Sequence, residues 1–109
     1  MFNPLQAIIQ KHVEQFQAGI QQAMEELGQI VLEAAAGEGA VVVKINGLGE
    51  IVDVQISEAA VQERGAEELS QLVRQAVQQA IDKAREVKRQ KIAEHTPLGA
   101  LGVDMPEIL

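Results

Sequence analysis

Apolar residues in this chain recur at every third or fourth position, then at every second, then at every third or fourth again. That succession of periods dictates a helix, a small sheet and another helix. In the first stretch Leu5, Ile9, His12, Phe16, Ile20, Ala23 and Leu27 share one face, and Val13 and Met24 widen it. Asn3-Pro4-Leu5-Gln6 marks its start: Asn3 can cap, Pro4 suits the first helical position, and Gln6 stands where a capping-box partner would. Gly28 predicts its end, which gives a helix of about 24 residues, roughly 36 Å long.

The period of two then takes over. Ile30, Leu32 and Ala34 alternate with Val31, Glu33 and Ala35 before the turn signal Gly37-Glu38-Gly39. Val41 to Ile45 is β-branched and reads as a strand, and Ile51 to Ile56 reads as its return. Between them Asn46-Gly47 is the favoured dipeptide of a two-residue type I′ turn. Such a turn, or a four-residue one through Gly49, puts Val41, Val43, Ile45, Leu48, Val52, Val54 and Ile56 on one face. Val42, Lys44, Ile51, Asp53 and Gln55 fall on the other.

Ser57 to Arg64 is expected to form a short helical turn or irregular link, broken at Gly65. From Ala66 the helical period returns with Leu69, Leu72, Val73, Ala76, Val77, Ala80, Ile81, Ala84 and Val87. His95-Thr96-Pro97 stops it, after about 30 residues and roughly 45 Å. The expected fold is therefore α+β, in the order α-β-β-β-α, with a small antiparallel three-stranded sheet between two long helices. It forms a single domain over residues 1–97, followed by a flexible Gly- and Pro-punctuated tail over 98–109. Both helices are long against the ~13 Å radius of gyration of a compact chain of about 100 residues. Their ends must project from the sheet or pack on a second copy. Apolar stripes of that length are unfavourable in water, so a homodimer is expected.

Composition removes several functional classes. The 109 residues suffice for one domain and carry nine Lys+Arg against sixteen Asp+Glu, a formal net charge of -7. Taken alone, that balance argues against a nucleic-acid binder. Phe2 and Phe16 are the only aromatic residues, too few for a base-stacking single-strand binder. Without cysteine there is no disulfide framework, thiol catalysis or thiolate metal site. No window approaches the roughly 18 to 20 apolar residues of a membrane-spanning helix. Met1-Phe2-Asn3-Pro4 is not the charged start of a secretory signal, and a cytoplasmic protein with no membrane partner is expected.

Material for catalysis is thin. The hydroxyl groups are Ser57, Ser70 and Thr96, and tyrosine is absent. His12 falls on the apolar stripe and reads as a packed or interfacial side chain. His95, ending the last helix, complements the negative end of its macrodipole. The histidines lie on different helices without metal-ligand spacing. Gly37-Glu38-Gly39 and Gly47-Leu48-Gly49 each lie between strands and lack the Lys-Ser/Thr of a phosphate-binding loop, so they read as turn glycines. Glu25-Glu26 and Glu67-Glu68 are neighbours in sequence, point apart on a helix, and read as solvated. No catalytic residue, metal, cofactor or small-molecule substrate is expected, and an enzyme is a distant third among the readings.

The departure from average is a run of cations. Lys83, Arg85, Lys88, Arg89 and Lys91 crowd the last turns of the long helix, offset by Asp82 and Glu86. A solvated helix end complementing the macrodipole is the plain explanation. Lys88 and Lys91, however, continue the angular position of the apolar stripe, as though the helix leaves its own core by about Val87. Two such ends in a dimer could straddle a duplex and neutralise phosphates without reading bases. Lys11 is the only helical cation upstream of Arg64 and a possible addition.

Three segments have a familiar form. Gly39 to Gly47 with Ile51 to Ile56 is a glycine-led strand, an Asn-Gly turn and an alternating return. Leu69 to Ala80 follows a Leu-Val-x-x-Ala-x-Asn-x-Ala helix pattern with Gln78 in place of asparagine, and Thr96, Gly99, Gly102 and Pro106 echo a Thr-Gly…Pro tail. Over nearly its whole length the sequence resembles the YbaB/EbfC family of bacterial nucleoid-associated proteins. Its first helix lacks the Met- and Lys-rich character common there. The resemblance implies a homodimer that binds double-stranded DNA with little sequence preference. Such a protein alters DNA conformation and contributes to nucleoid organisation, gene regulation and DNA protection. The rival reading is a dimeric helical protein-interaction module that never touches DNA, which the acidity and the Lys-poor first helix favour.

Overall fold

The computed structural model describes residues 4–95. Helix α1 (Pro4–Gln29) leads into strands β1 (Val31–Ala36), β2 (Val41–Asn46) and β3 (Ile51–Ile56), a short helix α2 (Glu58–Glu63) and the long helix α3 (Ala66–His95). The α-β-β-β-α order is as expected, with α2 forming the link after Ser57. There the Ser57 hydroxyl accepts from the Ala60 N–H at 3.1 Å and caps the helix. The cap at Asn3, the tail over 98–109 and the side chain of His12 lie outside the described residues.

Both hairpins form where the glycines predict, with different turn chemistry. The sheet is antiparallel in the order β1-β2-β3. Positive φ at the two central positions of a turn, the mark of type I′, occurs at Glu38 (58°) and Gly39 (88°) in the first hairpin. At Asn46 the turn is instead a three-residue loop, Gly47 to Gly49, with positive φ only at Gly49. The Asn46 side-chain oxygen accepts from the N–H groups of Leu48 and Glu50, each at 3.0 Å, and holds the loop closed.

Gly47 serves a close approach, not an unusual backbone angle. Its N–H donates to the carbonyls of Leu27 and Ile30, both at 3.0 Å, so the hairpin tip satisfies the end of α1. Helix α1 runs one residue past Gly28, to Gln29. A Cβ on Gly47 would stand 2.7 Å from the Leu27 carbonyl oxygen. Gly47→Ala should therefore destabilise the fold by about 3 kcal/mol, the upper range for overpacking against unyielding backbone. Urea unfolding checks this, and a loss below about 0.5 kcal/mol, within the noise of surface substitutions, would remove the constraint.

A three-residue loop alone would turn β3 over. A bulge corrects it: Lys44 faces Asp53 but Ile45 faces Ile51, leaving Val52 as the extra residue. Val43 thus meets Val54, and Val41 meets Ile56, as the alternation predicts. Ile51, expected on the outer face, joins Ile45 instead, and Val52 leaves the inner face for the bulge.

Helix α3 lays Leu72, Ala76, Ala80 and Ala84 on the inner face made by Ala34, Ala36, Val41, Val43 and Ile45. Its small side chains let the helix axis approach the sheet closely. The helix covers β1 and β2, while all six residues of β3 remain exposed. Beyond the sheet α3 does not run free: Ile92 is fully buried against Ala23 and Met24 of α1. The cations past Val87 therefore decorate an antiparallel helix pair. That arm gives extents of 74 × 21 × 18 Å and a radius of gyration of 19.8 Å.

Candidate functional site

The five cations from Lys83 to Lys91 on α3 share one stretch of sequence but have different surroundings. Lys83 leans toward β1, where its ammonium donates to the Glu33 carbonyl at 2.7 Å. Arg89 is held by Glu86 one turn earlier, through Nε at 3.2 Å and a second bond from Nη2. The Arg89 hydrogen bond keeps the Glu86 carboxyl below the usual carboxylate range, and Gln90 adds to the effect.

Lys91 reaches across the arm and lies 3.6 Å from both Glu26 of α1 and Glu94. His95 Nε2 sits 2.7 Å from Glu26 Oε2. The His95 hydrogen bond, aided by the charges of His95 and Lys91, lowers the pKa of Glu26. A carboxyl so held stabilises the folded arm above its unfolded pKa, and the contribution fades as pH falls through the folded value. Glu26 is thus a clamp between helices and not a solvated charge like Glu25. His95 serves that clamp as well as the helix end.

Arg85 and Lys88 differ from the others. Among the described residues, neither has a hydrogen bond or ion pair. Both line a shallow cavity of about 140 Å³ with Gly47, Leu48, Gly49, Ile81 and Ala84. The hairpin tip therefore stands beside two uncommitted cations. Its own N–H groups are engaged: Gly47 with α1, Leu48 and Glu50 with the Asn46 side chain, and Gly49 with the Asn46 carbonyl. The tip offers a wall and no anion-binding backbone, in keeping with turn glycines.

Lys11 is exposed on α1, roughly 22 Å along the helix from Glu26 and apart from the α3 cations. The cation run did not bring out Arg74, exposed about three turns before Arg85 on the same side of α3. The eleven-residue interval between the two arginines was the available signal. Among the described residues no group of three His, Asp or Glu could hold a metal ion, and no helix is long and apolar enough to cross a membrane.

A three-stranded sheet under one long helix, with a two-helix arm and an open cationic notch, defines a small α+β class of protein. A crystal structure of an uncharacterized protein from Helicobacter pylori has this fold. It matches with a TM-score of 0.70 over 83% of this chain and 92% of that one, at 21% identity. The chain belongs to the YbaB/EbfC DNA-binding family, whose sequence model matches residues 2–100. A nucleoid-associated protein of Gloeothece citriformis is 38% identical over 94% of this chain and 84% of its own length. One from Bacillus licheniformis is 40% identical over 74% and 72% of the respective lengths.

Proposed function

We propose that this chain is a bacterial nucleoid-associated protein that binds duplex DNA as a homodimer with little sequence preference. In this role it alters DNA conformation and contributes to nucleoid organisation, gene regulation and DNA protection in the cytoplasm. The observation that carries the reading is the pair Arg85 and Lys88, uncommitted and adjacent on an otherwise acidic member of a DNA-binding family. Cations without an internal partner can neutralise phosphates without first breaking a contact. Lys83, Arg89, Lys91 and Lys11 are secondary contacts, the first three exchanging a present partner for phosphate. The negative remainder of the surface orients the molecule, notch first, toward the polyanion.

The second copy belongs on the side of β3. Val54 and Ile56, each 42% exposed, continue the inner face of the sheet past the edge of α3. Val77 and Val73, both half-buried, lie one and two turns back from Ile81 on the hairpin side of α3, away from the notch. A copy seated there covers an apolar seam that would otherwise face water. It also brings two Arg85–Lys88 pairs into one assembly.

The testing experiment is a salt titration of binding to random-sequence duplex. Affinity should fall linearly on logarithmic axes, with a slope of about -0.9 per phosphate contact. No binding even at low salt would favour the protein-interaction module instead.

A further inference from the structure

We propose that the notch between the β2–β3 turn and α3 seats one sugar–phosphate unit of a DNA strand, with the phosphate on Arg85 and Lys88 and the deoxyribose edge on Leu48 and Ile81. The inference rests on the DNA-binding reading above and adds where, and through what chemistry, the backbone is held.

Four observations support it. The notch holds about 140 Å³, several times the ~30 Å³ share of one water molecule. That volume suits a phosphate with the edge of its sugar and is far too small for a base pair. Among the described residues no carboxylate lines it, although the chain is strongly acidic, so an anion meets two positive charges and no negative one. The remaining side chains that line it are apolar, which matches the C–H edge of a deoxyribose and offers no side chain to read a base.

The wall is also fixed in advance. Asn46 closes the tip with two side-chain acceptances, and Gly47 is pinned to the end of α1. A preorganised wall loses little entropy when it is occupied. Because every nucleotide repeats the same sugar–phosphate unit, a seat of this kind grips without sequence preference.

The test fills the notch without touching its charge. Leu48→Trp places an indole over the floor and leaves Arg85 and Lys88 in place, and Leu48→Met serves as the volume-conserving control. Leu48→Trp should bind random-sequence duplex at least tenfold more weakly, with a salt slope smaller by about one for each seat lost. Leu48→Met should bind as the parent does.

On the parent protein, a short duplex should shift the backbone amide resonances of Leu48 and Gly49, and inorganic phosphate at high concentration should shift the same two more weakly. Two results overturn the seat: Leu48 and Gly49 amides that duplex leaves unshifted, whether or not phosphate shifts them; or Leu48→Trp binding like the parent while loss of Arg85 and Lys88 abolishes affinity. In the last case the cations act from open surface, and DNA binding itself stands. A parent that binds no duplex at low salt removes the DNA reading altogether.

Discussion

The double variant Arg85→Ala, Lys88→Ala is expected to bind duplex DNA roughly thirtyfold more weakly than the parent at about 0.15 M salt. Each phosphate contact contributes about fivefold at that ionic strength, and a dimer with one phosphate seated on each Arg85–Lys88 pair loses two of them. The slope of affinity against salt should shrink by about two units, to about the same extent on unrelated sequences. Folding should hardly change, because neither side chain has a partner to lose among the described residues. A triple variant of Lys83, Arg89 and Lys91 should behave in the opposite way. Those cations hold Glu33, Glu86 and Glu26, so their removal should lower stability more and DNA affinity less. An unchanged slope in the double variant would place the interface elsewhere on the molecule.

The difference between the two sets of cations could not be read along the chain. Periodicity located both long helices and all three strands because their apolar repeats are local, and the cation run is visible as plain composition. What became of each cation depends on which distant element lies beside it. Lys91 is committed because α1 folds back along α3 and presents Glu26. Lys83 is committed because a carbonyl of β1 lies under it. Neither partner leaves a mark in the local sequence.

The hairpin shows the same limit. Asn46-Gly47 correctly marks a turn, yet Gly47 is required by the end of α1 and not by the turn's own backbone. The loop has three residues where two or four were expected, and the bulge at Val52 returned Val54 and Ile56 to their predicted face. An odd loop and a one-residue bulge cancel in parity, so the pattern of faces survived an error in the turn.

Substituting both Val54 and Ile56 by Gln should separate the protein into single copies. In sedimentation the parent should run at twice 11.8 kDa and the variant at 11.8 kDa. Each side chain is 42% exposed in one copy, so a seated partner would remove roughly 1 kcal/mol of apolar exposure per residue. Over four such residues in a dimer this gives about 4 kcal/mol, or roughly a thousandfold in the dissociation constant. Desolvating four new amide groups would add to the effect. Within one protomer the change is mild, because no helix covers β3 and the buried core of β1, β2 and α3 is untouched. The helical circular dichroism should therefore persist.

DNA binding should weaken along with the seam. Two notches on one rigid body engage a duplex with the second contact at high effective concentration, an advantage of about 10² or more that single copies forfeit. The substitutions are neutral, so no new charge confounds the comparison. If the Gln variant stays dimeric, the second copy sits on another face. If it becomes monomeric yet binds duplex as tightly as the parent, one notch is sufficient and the paired grip is wrong.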